Sequence, residues 1–136
     1  MNRSCAIFAL LSSIAVSGCA STIRDRQPIT VLSSRQSLDP LSSCLIRELN
    51  EVSKTLTNDL AKSLGTAQTI TNQIRTLDPK RSYEIGPVQP AMTDLYAVKL
   101  IVQNERQTTI EIYSDASNAG YSVLTPRLVT AVSKCE

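Results

Sequence analysis

The chain has 136 residues, with 14 Lys+Arg against 12 Asp+Glu and neither His nor Trp. That length holds one small domain, and the missing His excludes His-based triads, His metal sites and His general bases. One Phe, four Tyr and a net charge of +2 leave neither a base-stacking platform nor the field of a nucleic-acid binder, whereas 42% hydrophobic residues is ordinary for a folded domain.

Residues 1–18 have the layout of a secretory signal peptide: Arg3, an apolar run of about a dozen residues, then small residues. The run is too short for a bilayer span, which needs about 20 residues as helix. Its end, Val16-Ser17-Gly18-Cys19, resembles the lipobox of bacterial lipoprotein precursors, with an aliphatic residue and two small residues before Cys. The resemblance implies that Cys19 becomes the mature N-terminus and carries diacylglycerol and an N-acyl chain such as palmitate, with no other cofactor. Ala20 and Ser21 follow in place of the Asp that signals inner-membrane retention in enterobacterium-like systems. The resemblance therefore also implies the outer membrane, facing the periplasm. The alternative is an ordinary cleaved signal whose Cys19 later joins a disulfide.

With Cys5 removed and Cys19 capped by lipid, Cys44 and Cys135 remain as an even pair in an oxidising compartment. One disulfide is expected, closing a loop of about 90 residues worth about 4.6 kcal/mol in the chain-entropy model. Two free buried thiols are the alternative.

Residues 19–38 read as the lipidated Cys and a flexible tether, reaching about 24 Å as a random chain. Within it Ile29, Thr30, Val31 and Leu32 are β-prone, a short edge strand or a segment that orders on a partner. A single domain is expected over 39–136. Asp39-Pro40 is a cap-then-Pro helix start. Leu41, Cys44, Leu45, Leu49, Val52, Leu56 and Leu60 keep one apolar stripe toward a stop at Gly65. Thr55, Thr57 and Asn58 leave open one helix or two over 40–64, and Ile70, Ile74 and Leu77 suggest a further short helix. Residues 83–88 read as an edge strand interrupted at Gly86-Pro87. Residues 95–103 and 108–113 alternate and form a β-hairpin around polar residues 104–107. Thr125-Pro126 opens a last helix with Leu128, Val132 and Cys135 on one face.

The expected architecture is α+β: a small two-layer sandwich of one or two N-terminal helices, a meander of two or three antiparallel strands, and a C-terminal helix. It is weakly similar to small proteobacterial lipoproteins with a Cys-bearing helix, a short meander and a C-terminal Cys-bearing helix, a likeness carried by the two cysteines alone.

Little chemistry is legible. Ser53-Lys54 and Ser133-Lys134 read as surface polar pairs, Glu48 and Glu51 as a solvated helix face with Arg47, and Asp115 with Asn118 as too few ligands for Ca²⁺. No enzymatic activity and no metal site are expected. The expected role is a non-enzymatic outer-membrane lipoprotein, bound to the membrane by its lipid. It presents its domain to another envelope protein or to the cell wall through Lys99, Gln103, Thr109, Glu111 and Tyr113 on the polar hairpin face. The alternative is a periplasmic small-ligand binder, with a pocket lined by Tyr83, Tyr96 and Tyr121.

Overall fold

The computed structural model describes residues 22–65, 69–89, 93–115 and 123–136. A 3-10 turn (Ile23–Asp25) precedes β1 (Thr30–Ser34), α1 (Leu38–Leu64), β2 (Asn72–Asp78), β3 (Ser82–Pro87), β4 (Tyr96–Asn104), β5 (Gln107–Ser114) and α2 (Leu124–Ser133). The strands form one antiparallel sheet in the order β1-β5-β4-β3-β2. The α+β class therefore holds, with five strands where two or three were expected.

α1 is a single helix. Leu41, Leu45 and Leu49 are fully buried, and Val52 and Leu56 nearly so. The weak helix formers in its second half do not break it, because Val52 and Leu56 continue the buried stripe past them; the Thr55 and Ser63 hydroxyls donate to the Glu51 and Asp59 carbonyls at 3.2 and 2.9 Å. Gly65, in the left-handed region at φ +67, ends the helix where expected, and its N–H reaches the Ala61 carbonyl. Both helix starts lie earlier than the cap-then-Pro reading: Ser37 is the N-cap of α1 and Val123 that of α2. Pro40 and Pro126 fall in the first turn, where a missing N–H removes no intrahelical bond.

The helix expected from Ile70, Ile74 and Leu77 is instead the approach to β2 and β2 itself. Ile74 faces inward, whereas Leu77, three residues on, turns outward and is exposed; a period of two replaces the helical one. β3 is interior rather than an edge, flanked by β2 and β4. Pro87 is its last residue and the ladder continues past it through the Val88 N–H to the Thr71 carbonyl, so the ring costs little. Gly86 is needed where β3 passes β4, because a Cβ there would lie 3.0 Å from the Tyr96 carbonyl oxygen.

The expected tether is corrected from Thr22 onward. Ile29–Leu32 lie in and beside the edge strand β1, paired with β5. Ile23 is 3% exposed, and the turn that carries it packs on β4 and β5.

Both helices cover one face of the sheet. Leu41, Leu45, Leu49, Ile85, Tyr96, Val98, Leu100, Ile110, Ile112, Leu128 and Val132 fill the layer between. Each fully buried aliphatic side chain contributes about 1.5–3 kcal/mol. α2 runs antiparallel to α1, held by Arg127–Asp59 at 2.9 Å, Lys134–Glu48 at 3.1 Å and the Cys44–Cys135 disulfide, whose Cα atoms are 5.8 Å apart. Lys134 holds the Glu48 carboxyl below the usual carboxylate range. Gln36 Nε2 donates to the Cys135 carbonyl at 2.9 Å, fastening the chain end to the turn before α1.

One polar cluster lies inside this core. Tyr96 is fully buried; its hydroxyl donates to Asn72 Oδ1 and lies 2.8 Å from Ser53 Oγ. Asn72 Nδ2 donates to Ser53 Oγ at 2.7 Å and to Asn50 Oδ1 at 3.0 Å. Ser53 is thus not the surface residue its neighbour Lys54 suggested. Burial pushes the Tyr96 hydroxyl above the ordinary tyrosine range.

Candidate functional site

The sheet face turned away from the helices is the surface on which the expected contact residues meet. The register places Glu111, Lys99, Glu84 and Arg75 in one row across β5, β4, β3 and β2: Lys99 is opposite Glu111 and Glu84, and Glu84 is opposite Arg75. Charges of alternating sign in adjacent strands attract across the ladder. Thr109 lies opposite Ile101 and Ser33, Tyr113 opposite Ala97, and the exposed Gln103 sits at the register shift beside the hairpin turn. Lys99, Thr109, Glu111 and Tyr113 therefore share the open face, Gln103 is exposed beside the hairpin turn at its border, and none of the five is in the core.

Tyr113 alternates with the buried Ile112 and Ser114, so its ring lies on the open side, half-buried. Its hydroxyl donates to Glu111 Oε2 at 2.6 Å. Burial, that hydrogen bond and the charges of Glu111 and Glu84 push its pKa up to about 12.

Glu84 is the residue the sequence reading missed. Its side chain is 7% exposed although it points away from the core, because Arg24 folds over it. Arg24 Nε donates to both carboxylate oxygens, at 2.9 and 3.0 Å. Arg24 Nη2 approaches one of them at 2.9 Å as a charge contact without hydrogen-bond alignment, and Arg75 adds a second cation at 3.2 Å. Arg24 Nη1 donates to the Thr93 carbonyl and to Asp94, both at 3.2 Å, and Arg26 pairs with Asp115 at 3.2 Å. Sixty residues separate Arg24 from Glu84 in the chain, so no local pattern signals the pair.

The remaining candidates disperse. Tyr83 lines a cleft of about 400 Å³ with Asp39, Lys80, Asn104 and Thr108, and its hydroxyl donates to Asp39 at 3.3 Å. Burial, with Asp39 nearby, pushes its pKa up. Tyr96 is in the core and Tyr121 lies outside the described residues. The predicted three-tyrosine pocket is therefore not assembled by Tyr83 and Tyr96. A second cleft, about 380 Å³, runs between the helices past Glu48, Thr55, Val123, Arg127 and Lys134. Glu51 is on a solvated helix face and pairs with Lys54 at 2.5 Å, whereas Glu48, expected on the same face, is 16% exposed because it sits between the helices, 3.1 Å from Lys134 and 3.5 Å from Arg47. Among the described residues no group of three His, Cys, Asp or Glu is placed to hold a metal, and no helix is long and apolar enough to cross a membrane. The signal-like segment, Cys19, Ala20, Ser21 and Asn118 lie outside the described residues.

No protein-family model matches the chain, and no curated protein is significantly similar to it. The open face offers alternating charge, a tyrosine ring and hydroxyls on a rigid ladder.

Proposed function

We propose that this chain is a non-enzymatic lipoprotein of the outer membrane. It is held by diacylglycerol and an N-acyl chain on Cys19, and presents a small periplasmic domain to an envelope protein or the cell wall. The observation that carries the reading is the Cys44–Cys135 disulfide. A bond of that kind belongs to an oxidising compartment outside the cytoplasm, which fits export by the signal-like N-terminus. It also leaves Cys19, at the end of its lipobox-like sequence, as the cysteine available for lipid. The contact surface is the open sheet face around Lys99, Glu111 and Tyr113, with Gln103 and Thr109 at its border.

Two measurements test this. Replacing Cys19 with Ser moves the protein from the membrane to the soluble periplasmic fraction and abolishes lipid labelling; unchanged membrane fractionation overturns the anchor. A photo-crosslinker at Thr109 captures an envelope protein or cell-wall fragment, and Lys99→Gln with Tyr113→Phe abolishes the capture in protein whose circular dichroism at the assay temperature is that of the folded wild type. A second reading, a small-ligand binder, draws its support from the cleft beside Tyr83. A ligand-induced rise in melting temperature that Tyr83→Ala removes would favour it.

A further inference from the structure

The described arginines divide into two groups. Arg24, Arg26, Arg47, Arg75 and Arg127 each have a carboxylate partner at 3.5 Å or less. Arg35, Arg81 and Arg106 have none among the described residues. All three sit at the same end of the sheet: Arg35 directly follows β1, Arg81 is in the β2–β3 turn and Arg106 in the β4–β5 turn. Two of them, Arg35 and Arg106, line one cleft of about 380 Å³, whose other walls are Ser33, Asn104 and Gln107. The pairing of β1 with β5 holds these walls together, with Ser33 opposite Thr109 and Ser34 opposite Thr108. Glu105 stands between Asn104 and Arg106 in the chain but lines the separate cleft beside Tyr83. Neither a carboxylate nor an apolar side chain is among the residues lining the arginine cleft. Two cations with no counter-charge repel each other, and a cleft walled by one sign of charge concentrates ions of the other.

The neutral walls are set as donors. Gln107 Nε2 donates to Ser33 Oγ at 3.1 Å, which leaves the Ser33 O–H to donate in turn. The Arg106 backbone N–H donates to Asn104 Oδ1 at 3.0 Å, which leaves Asn104 Nδ2 as a donor. Acceptor capacity is thus spent inside the protein, while two guanidinium forks, a hydroxyl and an amide N–H₂ remain to give hydrogen bonds. Guanidinium forks match the paired oxygens of an oxyanion.

We propose that this cleft binds the phosphomonoester group of a phosphorylated sugar. A phosphomonoester carries about two negative charges at neutral pH and three strong acceptor oxygens, which match two guanidinium groups with no acid beside them. A carboxylate brings half that charge and one oxygen fewer. The volume falls in the range of small-molecule sites, roughly 300–1,000 Å³, so it takes more than the phosphate alone. Walls of amide and hydroxyl, without an apolar side chain, suit a hydroxylated carrier rather than an acyl chain. The site stands apart from the lipid on Cys19 and from the partner of the open face, although Ser33 places it beside Thr109.

The test titrates full-length mature protein, in neutral detergent and phosphate-free buffer, with glucose 6-phosphate while two-dimensional proton–nitrogen NMR spectra are recorded. The signals of Ser33, Arg35, Arg106 and Gln107 are expected to shift saturably. Arg35→Gln and Arg106→Gln each weaken binding by about tenfold or more. Both remove exposed side chains that have no partner, and unchanged signals elsewhere show that the variants fold. Arg81→Gln removes the third unpartnered arginine, outside the cleft, and is expected to change the affinity less than about twofold. Glucuronate, a sugar of the same size with a carboxylate, is expected to bind about tenfold more weakly. No saturable shift, or an equal loss of binding in Arg81→Gln, overturns the site. Equal binding of glucuronate overturns the choice of phosphomonoester. Inorganic phosphate binding as tightly as glucose 6-phosphate, or dihexanoyl phosphatidic acid binding more tightly, overturns the sugar as its carrier.

Discussion

Glu84 bears the largest electrostatic demand of any residue on the open face. A carboxylate 7% exposed is stable only if its lost hydration is replaced, and Arg24 replaces it with two aligned hydrogen bonds while Arg75 adds charge. Removing Arg24 uncovers Glu84, costs it the two aligned hydrogen bonds and leaves Arg75 as its cation partner. Arg24→Ala is expected to lower the unfolding free energy by about 2 kcal/mol, measured by urea denaturation. Arg24→Lys recovers only part of that, because an ammonium does not reproduce the guanidinium geometry. If Arg24→Ala in a Glu84→Gln background costs as much as in the wild type, the pair is not coupled. Tyr113 links stability to pH. It is an acid whose folded-state pKa, about 12, lies above its unfolded value of 10. The folded state therefore holds this proton more tightly. The associated stability is complete below pH 10 and is lost as pH rises through 12. In an ultraviolet phenolate titration, the component that Tyr113→Phe removes is expected near pH 12. Glu111→Gln shifts it downward, because the amide still accepts the hydroxyl's hydrogen bond but carries no charge.

Elements differ in how legible they were, and the differences have physical causes. α1, β4, β5 and α2 each bury one face against the same core, so their apolar residues keep a clear period, and the two cysteines fall where the helices meet. β2 is an edge strand whose outer residues face water, so its sparse apolar positions (Ile74 inward, Leu77 outward) mimicked a helical spacing. β1 was visible only as a β-prone patch, because five residues on an edge carry almost no alternation. The open-face residues were legible from the alternation of the hairpin. Glu84, Asn72 and Ser53 were not, since their partners lie at sequence separations no local pattern samples. A chain beginning at Asp39, the boundary that composition alone suggests, lacks β1, the buried Ile23 and the Arg24–Glu84 pair. Together the last two are worth about 4 kcal/mol, comparable to the whole stability of a small domain. That chain is expected to lose its cooperative thermal transition by circular dichroism, whereas one beginning at Thr22 keeps it. Equal melting curves for the two would show that the N-terminal segment contributes nothing to the fold.

The whole molecule is organised by where its cysteines end up. Four are encoded, and Cys44 and Cys135 are joined across 91 residues. The bond ties the first half of α1 to the chain terminus, and so holds the helical layer together at the end of the domain away from Thr22. Cys5 and Cys19 precede the fold, one within the signal-like run and one at the proposed lipid site. The mature protein is therefore expected to present no thiol to alkylation under native or denaturing conditions, and two after reduction. A Cys44→Ala, Cys135→Ala protein is expected to fold with a stability lower by about 2–5 kcal/mol, a loss set by the long loop no longer closed in the unfolded chain. Mass spectrometry of alkylated tryptic peptides distinguishes the outcomes residue by residue. Alkylation of Cys19 without reduction would mean that it carries no lipid, and a Cys19-linked peptide would mean that it had entered a disulfide. Alkylation of Cys44 and Cys135 without reduction would place the protein in a reducing compartment and remove the ground for export. Each cysteine thus reports on a different level of organisation: Cys44 and Cys135 on the fold, Cys19 on the anchor, and Cys5, by its disappearance, on the removal of the leader.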